Sequence, residues 1–352
     1  AWDLPKTEFL GTFGKINSQA NDKNISVTQG ISPFQIGARK KLLTEYSNAS
    51  QTRLGITKQE IKYSIRQSWN TMLYFQKQNR ILEKQNVILQ KFVKSAALKF
   101  QTGETNSLEK SIALAKQQEL EQRIKENSTQ LQVEISNLKT LMDLDSDFMA
   151  SDTTFVQIPF AVVADTALVK QNPGLQLSEN QVKIAQANYK VQKSVLLPDF
   201  SAGYFIQSIS GSQDPYSTAI ADKSLQFQGF SVGVSLPVFA GSGTARSKAA
   251  KTTIEVEKKN SEYLYAQVKT QFEQLTKQLQ TYQSLIDFYQ NTAIANANSI
   301  IRNATKGYQN GDISYVEYVQ SIETASTIQL NYNDAISKYN QTVIAIQYLI
   351  NQ

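Results

Sequence analysis

Three stretches of the chain place apolar side chains at alternating steps of four and three residues. The first runs Ile61, Ile65, Ser68, Met72, Phe75, Asn79, Leu82, Asn86, Leu89, Val93, Ala96, Phe100. The second runs Tyr265, Val268, Phe272, Leu275, Leu279, Tyr282, Ile286, Tyr289, Ala293, Asn296, Ile300, and the third Ile328, Tyr332, Ala335, Tyr339, Thr342, Ile346, Leu349. A sustained period of 3.5 residues predicts helices that bury a narrow seam against partner helices, as coiled coils do. Glycine and proline are absent from 56–102, 104–158, 244–306 and 312–352. Sixty helical residues would reach about 90 Å at roughly 1.5 Å per residue, so these runs read as rods.

Period 2 replaces period 3.5 where glycine and proline gather, in 5–37 and 198–243. Phe230, Val232, Val234 and Leu236 alternate with Ser231, Gly233 and Ser235, while Phe200, Ala202, Tyr204 and Ile206 alternate with Ser201, Gly203, Phe205 and Gln207. Ile25, Val27 and Ile31 alternate with Ser26, Thr28, Gly30 and Ser32. About ten residues of strict alternation predict strands with one apolar face, and about 9–11 residues also suffice to cross a membrane as β-structure.

The two halves repeat one another. Leu4-Pro5 matches Leu197-Pro198, Pro33 matches Pro237, and Ala38-Arg39 matches Ala245-Arg246. At the far ends Phe100-Gln101-Thr102-Gly103-Glu104 with Glu109 parallels Tyr308-Gln309-Asn310-Gly311-Asp312 with Glu317. The first repeat is expected over about 1–142, with strands near 5–16 and 24–33 and helices near 38–101 and 105–142. A linker region follows over about 143–165. The second repeat is expected over about 166–352, with a helix near 166–195, strands near 198–208 and 226–238, and helices near 243–306 and 312–350. Only the second repeat has a helix before its strands, so an equivalent leading segment is expected to be missing from the first.

Composition removes whole classes of chemistry. Without cysteine or histidine there is no thiol nucleophile, histidine base or imidazole metal ligand. The balance of 36 basic and 30 acidic residues, +6, is too mild for a nucleic-acid footprint. Polarity is carried instead by 39 Gln and 23 Asn, which suits a solvated coiled-coil face. No phosphate loop, nucleophile constellation or carboxylate cluster is legible, so neither enzyme activity nor a cofactor is expected. The basic clusters Arg39-Lys40-Lys41 and Lys248 with Lys251 read as solvated helix starts.

The layout resembles the TolC family of outer-membrane efflux proteins. The resemblance is carried by Leu196-Leu197-Pro198-Asp199-Phe200, by Gly233-Val234-Ser235-Leu236-Pro237-Val238-Phe239, and by Tyr308-Gln309-Asn310-Gly311-Asp312-Ile313-Ser314-Tyr315-Val316-Glu317. Their order and duplication cover almost the whole chain. Within the family the sequence looks closest to the heavy-metal branch, CusC- or CzcC-like. The resemblance implies a mainly α fold with a β-barrel portion: a homotrimer with four strands per chain in one twelve-stranded barrel, above a tunnel of long antiparallel helices. It also implies an outer-membrane location extending into the periplasm. The expected partners are a periplasmic adaptor, an inner-membrane pump of the resistance-nodulation-division (RND) type and outer-membrane lipid.

The same resemblance implies roles for particular residues. Glu109, Glu317, Tyr308 and Asp312 would lie at the periplasmic constriction, with Tyr308 helping to latch it. The competing reading makes the two glutamates favourable helix-start carboxylates and Tyr308 a packing residue. Gly103, Glu104, Gly311, Ile313 and Ser314 would form the exposed turns that dock an adaptor, the glycines supplying left-handed helix ends. Tyr204, Ile206, Phe230, Val232, Val234 and Leu236 would face lipid, or else the core of a β-sandwich. The function expected is a passive export duct, with heavy-metal cations as the substrate that the likeness to the heavy-metal branch implies; a non-channel periplasmic adaptor or surface stalk is the alternative.

Overall fold

In a computed structural model the described residues are 5–16, 21–104, 106–146, 148, 155–161, 166–209 and 225–352. The elements are β1 (Glu8–Gly14), β2 (Asp22–Ile31), α1 (Pro33–Gln101), α2 (Ser107–Met142), a 3-10 segment (Thr166–Gln171), α3 (Pro173–Ser194), β3 (Asp199–Ile209), β4 (Leu225–Ser235), α4 (Gly241–Phe288), a π turn (Tyr289–Ala293), α5 (Ile294–Asn310) and α6 (Tyr315–Leu349). The chain is therefore mainly helical with one small sheet. No helix among the described residues is long and apolar enough to cross a membrane. Two compact units form, residues 1–54 with 173–264 and residues 55–172 with 265–352, so each unit draws on both sequence repeats.

The first unit holds the sheet, antiparallel throughout in the order β1-β2-β3-β4. Its register lines up Phe9, Val27, Tyr204 and Phe230 across all four strands, then Ile25 with Ile206, Ala202 with Val232, and Phe200 with Val234. Side chains alternate between faces, so one face is apolar. The other carries Ser26, Thr28, Gly203, Ser231, Ser201 and Gly233. Glycine is required by close approach at Gly203, where a Cβ would stand 2.6 Å from Ser231 Oγ and 3.0 Å from the Val27 carbonyl oxygen. At Gly229 a Cβ would stand 2.9 Å from the Phe205 ring, which covers that glycine. The sheet is tied to the start of α1 by Gln35, whose Nε2 donates to Asp199 Oδ1 at 3.2 Å while Arg39 donates to its Oε1 at 3.0 Å.

Helix α1 begins at Pro33, five residues before the expected start, because proline is favourable in the first helical turn. Helix α2 ends where Asp143 turns left-handed, φ 53°, its N–H reaching the Lys139 and Thr140 carbonyls. The single helix expected near 166–195 is instead the 3-10 segment Thr166–Gln171 followed by α3 from Pro173, a residue with no N–H to continue a helix from the preceding turn.

The second unit is a packing of long helices around the predicted seams, except that Ile61 and Phe100, at the two ends of the first, are exposed. Met72, Leu82, Leu89 and Ala96 of α1, and Leu279 and Ile286 of α4, are buried to 2% exposure or less; each large one contributes about 1.5–3 kcal/mol by leaving water. Buried amides fix the register. Asn127 Nδ2 donates to the Phe75 carbonyl at 2.9 Å and Asn333 Nδ2 to the Tyr74 carbonyl at 3.2 Å. Asn340 pins the extended segment 155–161, donating to the Val156 carbonyl at 2.9 Å and accepting from Ile158 N–H at 2.8 Å.

One seam departs from the sequence pattern. An unbroken helix was expected through 243–306 with Asn296 and Ile300 on the seam, yet Asn296 is exposed and Ala297, Ile301, Ala304 and Tyr308 pack inward. The shift is one residue. Its cause is the π turn at Tyr289–Ala293, whose i→i+5 bonding absorbs one residue more than an α turn.

Candidate functional site: the paired helix turns

The turns α1–α2 and α5–α6 share one cluster in the second unit. It joins Leu82, Leu89, Phe92 and Ala96 of α1, Ala113 and Leu120 of α2, Ala304 of α5, and Tyr315, Tyr318, Val319 and Ile322 of α6, with Tyr308 and Ile313 packed against it. The structure thus brings Tyr308 and Ile313 to the core of this end. Gly103, Glu104, Gly311, Asp312, Ser314 and Glu317 lie exposed at its rim, and Glu109 is half-buried.

Both turns use one backbone device. Gly103 and Gly311 take φ of +76° and +81°, a region costly for residues with a Cβ. Glu104 N–H reaches back to the Lys99 carbonyl at 2.8 Å and Gly103 N–H to Phe100 at 3.2 Å; Asp312 reaches Gly307 at 2.8 Å and Gly311 reaches Tyr308 at 3.2 Å. These are paired Schellman closures, which satisfy carbonyls left over at the helix end. Thr102 Oγ1 also donates to Glu104 Oε1 at 3.0 Å.

The helices leaving the turns are capped in parallel. Asn106 Oδ1 accepts from Glu109 N–H at 3.0 Å. Ser314 Oγ accepts from Glu317 N–H at 3.4 Å, and Glu317 Oε2 accepts from Ser314 N–H and Oγ–H, both at 2.7 Å. Glutamate at this third helical position closes a capping box. The Ser314 hydroxyl, then its backbone N–H, hold the Glu317 carboxyl below the usual carboxylate range.

Sequence reasoning did not single out the aromatic stack between the turns. Phe92 stacks on Tyr315 with centroids 4.2 Å apart, and Tyr308 stacks on Tyr318 at 4.9 Å, both with 18° between ring planes. Lys99 Nζ sits 5.2 Å from the Tyr308 ring centre, within reach of a cation–π contact. The hydroxyls of Tyr308 and Tyr315 are buried and meet no hydrogen-bond partner among the described residues. Burial, and then the charges of Glu109 and Glu323, push the Tyr315 phenol up to about 12. Lys116 Nζ joins α2 to α6, 3.2 Å from both Glu119 and Glu323. The signal was the spacing Tyr308, Tyr315, Tyr318, which sets rings on both sides of a glycine turn.

No group of three or more acidic side chains is placed to hold a metal ion among the described residues. What this end can do is mechanical: it holds two hairpin turns together through rings and one ion pair.

The family profile for the outer membrane efflux protein matches residues 166–352, over half of the chain. The chain belongs to that family. Its place is accordingly the outer membrane, extending into the periplasm, and its class that of efflux channels; the adaptor and stalk alternatives fall away. No curated protein matches it. Among solved structures it is similar to CusC, 17% identical over 98% of this chain and 82% of that one, TM-score 0.76. A membrane protein from Pseudomonas aeruginosa is 12% identical over 99% and 83%, TM-score 0.80, and the CmeC outer membrane channel of Campylobacter jejuni 14% over 99% and 77%, TM-score 0.79. At these identities the likeness is one of fold.

Proposed function

We propose that this family member is the outer-membrane duct of a tripartite efflux assembly, three copies closing one twelve-stranded barrel. The observation that carries the reading is the sheet. Its apolar face includes Phe230 at 85% and Val232 at 83% exposure, and among the described residues β1 and β4 each present an open edge. Unpaired strand edges cannot stand in lipid, and pairing β4 of one copy with β1 of the next removes them all. Tyr204, Ile206, Phe230, Val232 and Val234 share the apolar face and would meet lipid, with Leu236 just beyond the end of β4.

The paired turns then form the periplasmic end. Gly103, Glu104, Gly311 and Ser314, with the half-buried Ile313, would meet an adaptor, and through it an inner-membrane RND pump, while Tyr308 and Asp312 would lie at the constriction. Glu109 and Glu317, from three copies, would ring the opening with up to six carboxylates and favour cations. Heavy-metal cations are the substrate the resemblance suggests. With no histidine or cysteine, they would be passed by charge rather than by soft ligation.

Native mass in detergent, followed by bilayer conductance, tests this. Three chains per particle with cation-preferring conductance are expected, and Glu109→Gln with Glu317→Gln should lower the cation preference. A monomer without conductance overturns the duct; unchanged selectivity overturns the carboxylate ring alone.

A further inference from the structure

A cleft of about 750 Å³ opens in the second unit, away from the paired turns, between α1, the segment 155–161, the π turn and α6. We infer that it is a binding site for a single amphiphilic anion, an aromatic or alkyl carboxylate or sulfonate. The volume lies in the range of sites that enclose one drug-sized molecule. Its walls are chemically divided. Phe155, Val156, Ile294 and Ile336 give apolar surface, and Lys77, Arg80 and Lys84 stand at successive turns of α1 along one side. Among the described residues Glu83 is the one acidic residue of the lining, so Lys77 and Lys84 alone outweigh it in charge.

Two further observations favour an occupant. Val87 and Val156, both in the lining, are 52% and 58% exposed, so apolar surface beside the cationic row is left to water. The walls are also preformed. Asn340 holds the 155–158 backbone from both sides, and Gln290 of the π turn donates to Tyr332 Oη at 2.8 Å; π turns recur at functional sites. An apolar body against Phe155 and Ile336 would bring its acid group to the α1 row. A neutral molecule would gain the first contact and lose the second.

The test uses the full chain held in amphipol, with dansylglycine as the anionic probe and dansylamide as its neutral counterpart, read by fluorescence. Saturable dansylglycine binding is expected, with dansylamide at least tenfold weaker. Lys77→Gln with Lys84→Gln should weaken dansylglycine at least tenfold and leave dansylamide unchanged. Val87→Trp, also at an exposed position, should fill the cleft and weaken both probes. Circular dichroism and native mass keep loss of fold separate from loss of the site. Absence of saturable binding, equal affinity for the two probes, or a double variant that binds dansylglycine like the parent protein overturns the site. None of these outcomes bears on conductance, so the duct stands or falls separately.

Discussion

The ring of Phe92 on α1 lies flat against that of Tyr315 at the start of α6, 4.2 Å between centroids. That contact joins the outgoing arm of one hairpin to the returning arm of the other. Truncating Phe92 to alanine should cost about 3 kcal/mol, the size expected for emptying a buried aromatic site. Faster hydrogen exchange over 96–113 and 304–318 is the expected sign; unchanged exchange would mean the turns are held by something else.

Tyr315 supplies a sign test at high pH. Its folded pKa is raised to about 12, so the neutral phenol belongs to the folded state. The contribution is complete below the ordinary tyrosine value near 10 and is lost as pH climbs toward 12. Loosening of the 308–322 segment is expected above pH 10, measured by pulsed hydrogen exchange. Tyr315→Phe should reduce that loosening, leaving the share of Tyr318, whose phenol burial also raises, and leave stability at pH 7 equal or higher, because the hydroxyl it removes is buried without a partner among the described residues.

Glu317 gives the opposite sign. Its carboxyl is lowered by Ser314, so its contribution is present above the ordinary carboxylate range and fades as pH falls through the lowered value. Ser314→Ala should fray the first turn of α6 at pH 7 and flatten its pH response between 7 and 3. A variant that keeps the parent's pH response would remove the capping box from the account.

Gly203 is hemmed in by the Val27 carbonyl oxygen, a backbone atom that cannot swing aside. Gly203→Val should therefore block formation of the four-stranded sheet. Loss of heat-modifiable migration on gels, with the helices still visible by circular dichroism, is the expected result.

The π turn leads to an asymmetry between two deletions. Removing Asn291 converts the turn to α-helix and leaves Ala297, Ile301, Ala304 and Tyr308 in phase with the cluster, so assembly should survive. Removing Thr327 from α6, which has no spare residue, rotates everything beyond it by about 100° and should abolish assembly. Equal tolerance of both deletions, judged by yield of assembled protein, would contradict the one-residue bookkeeping.

Much of this was legible in the residues. Alternation at Phe230, Val232 and Val234 set the faces of β4, because strand geometry leaves no other choice. Chirality made Gly103 and Gly311 readable as helix ends. The seam of α1 survived at Met72, Leu82 and Leu89 because no irregular turn interrupts it. The phase of α5 was not legible, since nothing in Tyr289–Ala293 distinguishes a π turn from an α turn locally. Nor was the stack of Phe92 on Tyr315, which depends on tertiary packing between residues more than two hundred positions apart. Asn127, Asn333 and Asn340 read as ordinary polar positions, and only the facing carbonyls reveal them as staples.

The sheet order has a genetic corollary. Its outer strands, β1 and β4, are different sequences with different neighbours, so copies joined edge to edge are joined head to tail. In the proposed three-copy barrel, a copy with a spoiled β1 would still offer a sound β4, enter the arc and leave it unclosed. Such an allele should be dominant over the normal one when both are expressed together, whereas an allele spoiled at both edges should be recessive, because its product never joins.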